Sequence, residues 1–253
     1  MGLTSGEAFA LSVPDCTAKY LCATNDQVKQ ATFYHPEKAE GFSKTLVEML
    51  SNGYSFMFLE ENSGLRDQFD QAIAEMKADG TMEKLIQTYI TDAAESDETE
   101  AVEFDQFEGE PIKVAVTGCL PPMDYVAADG TPAGFNTAVL AEIGKRLEKN
   151  IELVQVDSVG RALALAQGNV DAAFWTRDVS EGVTKEDFPS MSEEEREAFK
   201  QEKDENQTEE ETAIMDALLG AFPNGVFKNR DIPEGTITTT PYYSDLNVLV
   251  TLK

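Results

Sequence analysis

The stretch PPMDYVAADGTPAGFNTAVLAEIGKRLEKN, Pro121 to Asn150, and its continuation IELVQV, ALALAQGNV and DAAFW to Trp175 decide the reading of this chain. A turn-rich opening runs into an amphipathic helix, then alternates strand, helix and strand. The preceding IKVAVTG, Ile112 to Gly118, is a β-branched run suited to a central parallel strand, and Gly130 and Gly134 give the backbone freedom that a tight hairpin-like opening needs. Alternating strands and helices of this kind predict an α/β domain with a partly parallel sheet, an architecture that places ligands at the carboxyl ends of its strands.

Working outward, AFALSV near the start reads as a strand. A helix follows near Asp15 to Asn25, then a short strand VKQATF. EKAEGFSKTLVEMLSNG spaces Phe42, Leu46 and Leu50 as a helix, with Asn52 and Gly53 as its C-cap. YSFMFLEE is a strand. Ser63 then N-caps a long helix with Asp67 in its first turn, and Leu65, Phe69, Ile73 and Met76 form one apolar face. Gly80 stops that helix and TMEKLIQTYI starts another.

Three words resemble, in order, parts of a known family. PPMDYVAADGTPAGFNTAVLAEIGKRL, QGNVDAAFW and TTTPYYSDLNVLVTLK resemble the first lobe of extracytoplasmic solute-binding proteins that serve amino-acid ABC importers, the type II periplasmic-binding-protein fold. Upstream, YSFMFLEENSGLRDQFDQAIAEMKADGTMEKLIQTYI looks like that family's C-terminal strand and closing helices. In the family the closing segment comes last; here it precedes the opening strand, so the segments stand in permuted or tandem-truncated order. The resemblance implies an end-of-domain part over residues 1–95, an acidic linker over 96–110, and an opening lobe-one half over 111–253 that carries a helical insertion at 178–230. The expected fold class is a periplasmic-binding-protein type II-like α/β lobe, with a mixed sheet, helices on both faces and an acidic helical insertion.

That insertion departs from the family, which has only a short link there; about fifty residues exceed ordinary connections. SMSEEEREAFKQEKDENQTEEETAIMDALLGAF is acidic and helical in bias, with Ser192 and Glu195 spaced as a capping box. It reads as a solvated helical hairpin held by the apolar stripe of its second half.

Composition narrows the partners. A formal charge of −27 repels nucleic acid and anionic membrane surfaces. With 42% apolar residues, the 253-residue chain can bury a sizeable core. Cys16, Cys22 and Cys119 lack metal-ligand spacing and read as buried free thiols, with a Cys16–Cys22 bridge open to an oxidising compartment. No cofactor is indicated. His35 is the sole histidine, set before a proline without a serine elbow or metal-spaced partner, so no catalytic residue is nominated. No run approaches the roughly 20 apolar residues of a membrane span.

The candidate ligand-binding residues are Met123, Tyr125, Trp175, Thr176, Arg177 and Tyr242. Trp175, Thr176 and Arg177 follow a parallel strand at its carboxyl end. By the resemblance, Arg177 stands for the arginine that pairs with a ligand carboxylate, Met123 and Tyr125 for an aromatic wall, and Tyr242 for the element leading into the hinge strand NVLVTLK. Asp171 matches an aspartate that holds a turn. The family's ammonium-clamping aspartate is absent, since Phe9 occupies its position.

The reading that follows is extracytoplasmic binding of a small polar solute, most simply an amino acid, for ABC import or signalling. The expected partners are the solute, a membrane permease or sensor module, and a domain-swapped copy of the chain. Two alternatives stand beside it: a degenerate lobe acting as an interaction or structural module, and a dehydratase-like enzyme on the same architecture. One contact underlies the architecture. Two helices of four large apolar side chains each represent roughly 10 to 20 kcal/mol of transfer free energy, so the early helices should close over the sheet begun near Ile112.

Overall fold

The computed structural model describes residues 3, 5–6, 8–31, 51–94, 101–178 and 233–253. The body is a mixed sheet of eight strands. In chain order these are β1 (Ala10–Pro14), β2 (Val28–Ala31), β3 (Ser51–Leu59), β4 (Ile112–Val116), β8 (Ile151–Gln155), β9 (Ala172–Asp178), β10 (Thr236–Thr238) and β11 (Tyr243–Leu252). Between β4 and β8 lies a small separate sheet of β5 (Cys119–Leu120), β6 (Asp124–Val126) and β7 (Pro132–Ala133), which is the hairpin-like opening expected from Gly130 and Gly134. The main order is β1-β11-β3-β9-β4-β8, with β10 beside β3 and β2 beside β11.

The helices are α1 (Asp15–Thr24), α2 (Ser63–Ala78), α3 (Thr81–Ile86), α4 (Phe135–Leu147) and α5 (Gly160–Ala166). Alternation along the strands assigns them to faces. Tyr54, Phe56 and Phe58 of β3, Val114 and Val116 of β4, and Phe174 of β9 join one apolar cluster with Phe69, Ile73 and Met76 of α2, Met82 of α3, and Val139 and Ile143 of α4. Met57 of β3, Ala115 of β4, and Ala173 and Trp175 of β9 turn to the other face and meet Ala164 and Leu165 of α5. Helices therefore cover both faces, and the early helices pack on the sheet begun at Ile112 as the apolar faces require.

The strand YSFMFLEE returns antiparallel between β9 and β11, with Phe56 opposite Phe174 and Tyr54 opposite Tyr243. It starts earlier than its sequence suggests. Asn52 and Gly53 are strand residues paired with Asp178 and Arg177, not a helix C-cap, because the backbone partners on either side claim them for the ladder. Residues 37–50 of the helix expected there lie outside the described residues, as do His35 and the acidic insertion beyond Asp178. A 3-10 turn, Glu60–Asn62, leads into α2, so Ser63 is its first helical residue and no side chain caps it. Asp67 consequently falls beyond the first turn and pairs with Arg66 at 2.7 Å.

The described part of the acidic linker is fastened to the body: Ala101 bridges Ala133, and the Asn150 side chain accepts from the Phe107 amide at 2.8 Å and donates to its carbonyl at 2.7 Å. The three thiols are free; Cys16 is buried, Cys22 half-buried, and Cys119 exposed on a two-residue strand too short to be covered. No helix among the described residues is long and apolar enough to cross a membrane.

Candidate functional site at the carboxyl ends of the parallel strands

β4 runs parallel to both β8 and β9, and α4 and α5, the helices that connect the three, lie on opposite faces of the sheet. Chain leaving β4 toward β8 and chain returning to β9 thus part company at the carboxyl end of β4, which opens a crevice there. β9 is aligned with β4 only at Ala172 and Ala173, so Trp175, Thr176 and Arg177 project past the end of β4, held by β3 alone.

Thr117 and Gly118 leave β4 at this edge. Gly118 has φ +69°, and a Cβ there would sit 2.9 Å from Nε2 of Gln155, whose amide donates to the Thr117 carbonyl at 3.1 Å. Thr117 is anchored by Asp124: its amide donates to Oδ2 at 3.0 Å and its hydroxyl to Oδ1. Asp124 is 2% exposed, and burial pushes its carboxyl above the ordinary value while the Thr117 bonds and Arg161 pull the other way.

Arg161, in the first turn of α5, completes the group. Asp157 shapes the approach by accepting the Val159 and Gly160 amides at 3.0 and 2.7 Å, which starts the helix beside β9. The half-buried guanidinium then donates from Nε to the Ser158 carbonyl at 3.3 Å and from Nη1 to the Phe174 carbonyl at 3.1 Å. Burial draws its pKa below the usual arginine value; the charge of Asp124 opposes this. An arginine remains cationic regardless, so the site holds a fixed, partly desolvated positive charge. On the same strand as Phe174, Trp175 packs against the cluster of Met57, Ala115, Ala164 and Leu165, and its buried Nε1–H has no acceptor among the described residues.

The residues nominated from sequence divide. Trp175, Thr176 and Arg177 reach the crevice edge, Thr176 and Arg177 as strand positions opposite Tyr54 and Gly53. Tyr125 is half-buried on β6, its ring 6.3 Å from that of Tyr20. Met123 and Tyr242 are both buried in the main core. Met123 is 0% exposed, with the Cys16 thiol donating to its sulfur at 3.8 Å. Tyr242 is 2% exposed, stacks on Phe56 at 5.0 Å, and donates its hydroxyl to Asn136 Oδ1 at 2.7 Å. An apolar thioether and a satisfied phenol both gain more from the core than from water. Asp171, expected to hold the adjoining turn, instead exchanges bonds of 2.8 Å through its amide and carboxylate with the backbone of Lys113 on β4, tying the start of β9 to the neighbouring strand.

Sequence reasoning missed Thr117, Asp124 and Arg161. The signal for Arg161 was present: VDSVGR directly follows the strand IELVQ, so its arginine opens the next helix at the carboxyl edge. Among the described residues no group of three or more His, Cys, Asp or Glu side chains is placed to hold a metal.

Comparison with known proteins bears on this same segment. The family described as bacterial extracellular solute-binding proteins, family 3, matches residues 112–181, a little over a quarter of the chain. No curated protein matches. Among solved structures, the chain is similar at 12% identity and TM-score 0.42 to NikA from Staphylococcus aureus in complex with Ni(L-His)2, covering 100% of this chain and 54% of that one. It is similar at 9% identity and TM-score 0.42 to AgaA from A. tumefaciens R10 in complex with agropinic acid, covering 100% and 52%. A phosphate-binding protein of a phosphate ABC transporter from Streptococcus pneumoniae TIGR4 aligns at 10% identity and TM-score 0.34, covering 93% and 71%. The chain spans about half the length of the first two. The family match runs from β4 through β9, so the crevice lies in the part of the α/β fold that is similar to a solute-binding-protein lobe.

Proposed function

We propose that this chain contributes a lobe to extracytoplasmic binding of a small polar solute, an amino acid in the first instance, delivered to an ABC permease or read by a sensor module. The observation that carries the reading is Arg161: a positive charge fixed by two backbone carbonyls at the carboxyl edge of the parallel strands, the edge where β9 carries Trp175, whose buried indole N–H lacks an acceptor among the described residues. A carboxylate satisfies both, because it can take charge-assisted bonds from a guanidinium and accept from the indole. Arg177 is proposed as a second cation for the same carboxylate from its strand position, with Thr176 beside it and Tyr125 at the rim. Export from the cytoplasm, a swapped copy of the chain, and the division into 1–95 and 111–253 around an acidic linker belong to this proposal and are carried by the family resemblance.

Calorimetry with an amino-acid panel tests it. The wild type is expected to bind at least one member, and Arg161→Met to weaken that binding at least a hundredfold, with circular dichroism verifying that the variant remains folded. No heat from any member would favour the degenerate interaction module, a reading supported by the loss of Met123 and Tyr242 to the core. The dehydratase reading is poorly served by Asp124, the carboxyl beside the crevice, because it is 2% exposed and tied to Thr117.

A further inference from the structure

β9 and β10 lie antiparallel to β3 on opposite sides of it, since Met57 pairs with Ala173 on one side and with Thr238 on the other. The two strands are therefore parallel to each other, and the chain between them, residues 179–232, is a crossover that must pass over one face of the sheet. Handedness chooses the face. From β4 to β8 the chain steps toward the β8 edge with α4 on the face of the larger core; from β8 to β9 it steps back past β4 with α5 on the other face. Opposite steps on opposite faces share one hand, and parallel crossovers are right-handed in nearly all proteins. The step from β9 to β10 continues in the direction of the step from β8 to β9, so the same hand carries it over the α5 face.

α5, with the sequence GRALALA, has Arg161 as its only charged residue. Ala164 and Leu165 are buried against the sheet, yet Val159, just before the helix, is 88% exposed, Leu163 is 59% exposed and Ala166 is exposed. Those three are spaced i, i+4 and i+7, which makes one stripe, and a helix apolar all round is normally covered all round. The ends of the crossover bracket this helix. Asp178 stands opposite Asn52 at the carboxyl edge where α5 starts, and Thr236 stands opposite Leu59 toward the end where α5 finishes.

We propose that the apolar part of the crossover, ETAIMDALLGAF at 211–222, docks on the stripe of Val159, Leu163 and Ala166. Ile214, Leu218 and Phe222 recur every four residues and supply the matching apolar surface within an otherwise acidic stretch. The segment is tethered at both ends of this face, which gives it a high effective concentration there. A second copy of the chain fits less well, because two bodies of −27 repel. The docking is independent of solute binding at Arg161.

The experiment places single cysteines in the full chain carrying Cys22→Ser and Cys119→Ser, with Cys16 left in place because it is buried. Leu163→Cys reports on the stripe; Lys84→Cys, exposed on α3 over the opposite face, is the control. N-ethylmaleimide is expected to label Leu163→Cys at least tenfold more slowly than Lys84→Cys. Adding Leu218→Glu and Phe222→Glu should restore fast labelling of Leu163→Cys and leave the Lys84→Cys rate unchanged, with circular dichroism verifying that each variant remains folded. As a second readout, a short bismaleimide should join Leu218→Cys to Leu163→Cys within one chain and should not join it to Lys84→Cys. The proposal is overturned if Leu163→Cys is labelled as fast as the control, if Lys84→Cys is the partner that crosslinks, or if the glutamate variants leave the protection intact. It is also overturned if protection is lost on dilution together with a dimer seen by ultracentrifugation, since a second copy would then be the occupant.

Discussion

Gly134 has φ +104°, and a Cβ added there would lie 2.5 Å from the Met123 carbonyl oxygen and 2.7 Å from its carbon. Backbone cannot yield as a side chain can. Gly134→Ala is therefore expected to destabilise the fold by about 3 kcal/mol, read by urea unfolding. Gly118→Ala, whose new methyl meets only the movable end of Gln155, should cost about 1 kcal/mol. Equal costs would show that conformational strain, not the close approach to Met123, governs the turn. The place of Met123 in an opening turn suggests a ligand wall, whereas the turn closes inward and seats the side chain against Cys16. Nothing local distinguishes those outcomes.

Between elements, α2 and α3 are joined to α4 by apolar packing and by one charged cluster. Phe69 is fully buried, edge-on to both Phe56 and Phe58 at 5.3 and 5.1 Å. Phe69→Ala should cost about 3 to 5 kcal/mol, against a much smaller loss for the half-exposed Leu65 on the same stripe. Arg146 of α4 donates to Asp79 at 2.8 Å and to the Thr81 hydroxyl at 3.1 Å. Asp79 is consequently held well below its ordinary value of 3.8, first by the Thr81 hydroxyl and then by Arg146. A depressed carboxyl contributes stability that is present above its unfolded pKa and lost as pH falls through the folded one. Asp79→Asn should therefore narrow the difference in melting temperature between pH 6 and pH 3; an unaltered difference would mean that this exposed pair is fully screened. Asp245, raised by burial, contributes with the opposite sign, its share declining as pH rises above 3.8.

For the molecule as a whole, the formal charge of −27 is a self-repulsion that compaction increases. Salt shortens its range, to a Debye length of about 10 Å at 0.1 M and about 3 Å at 1 M. Raising sodium chloride from about 0.02 to 0.5 M should lift the melting temperature by several degrees in scanning calorimetry. A fall would mean that local ion pairs such as Arg146–Asp79 outweigh the global field. The sheet also shows what joins the chain: β3, from the early part, lies between β9 and β11, both from the late part. Removing residues 51–59 would strip pairing from both neighbours.

The amino-acid sequence by itself determined the alternation of strand and helix from Ile112 to Trp175, the apolar stripe of α2, the strand at Tyr54 to Leu59 and the glycine turns. Each of these follows from side-chain period or backbone freedom over a few neighbouring residues. Only the tertiary structure decided that Asn52 and Gly53 extend a strand, that Tyr242 spends its hydroxyl on Asn136, and that Arg161, Thr117 and Asp124 meet at one crevice. These outcomes depend on partners far along the chain, 106 residues away for Tyr242 and Asn136, and neither hydrogen-bond satisfaction nor burial at such separations leaves a local pattern to read.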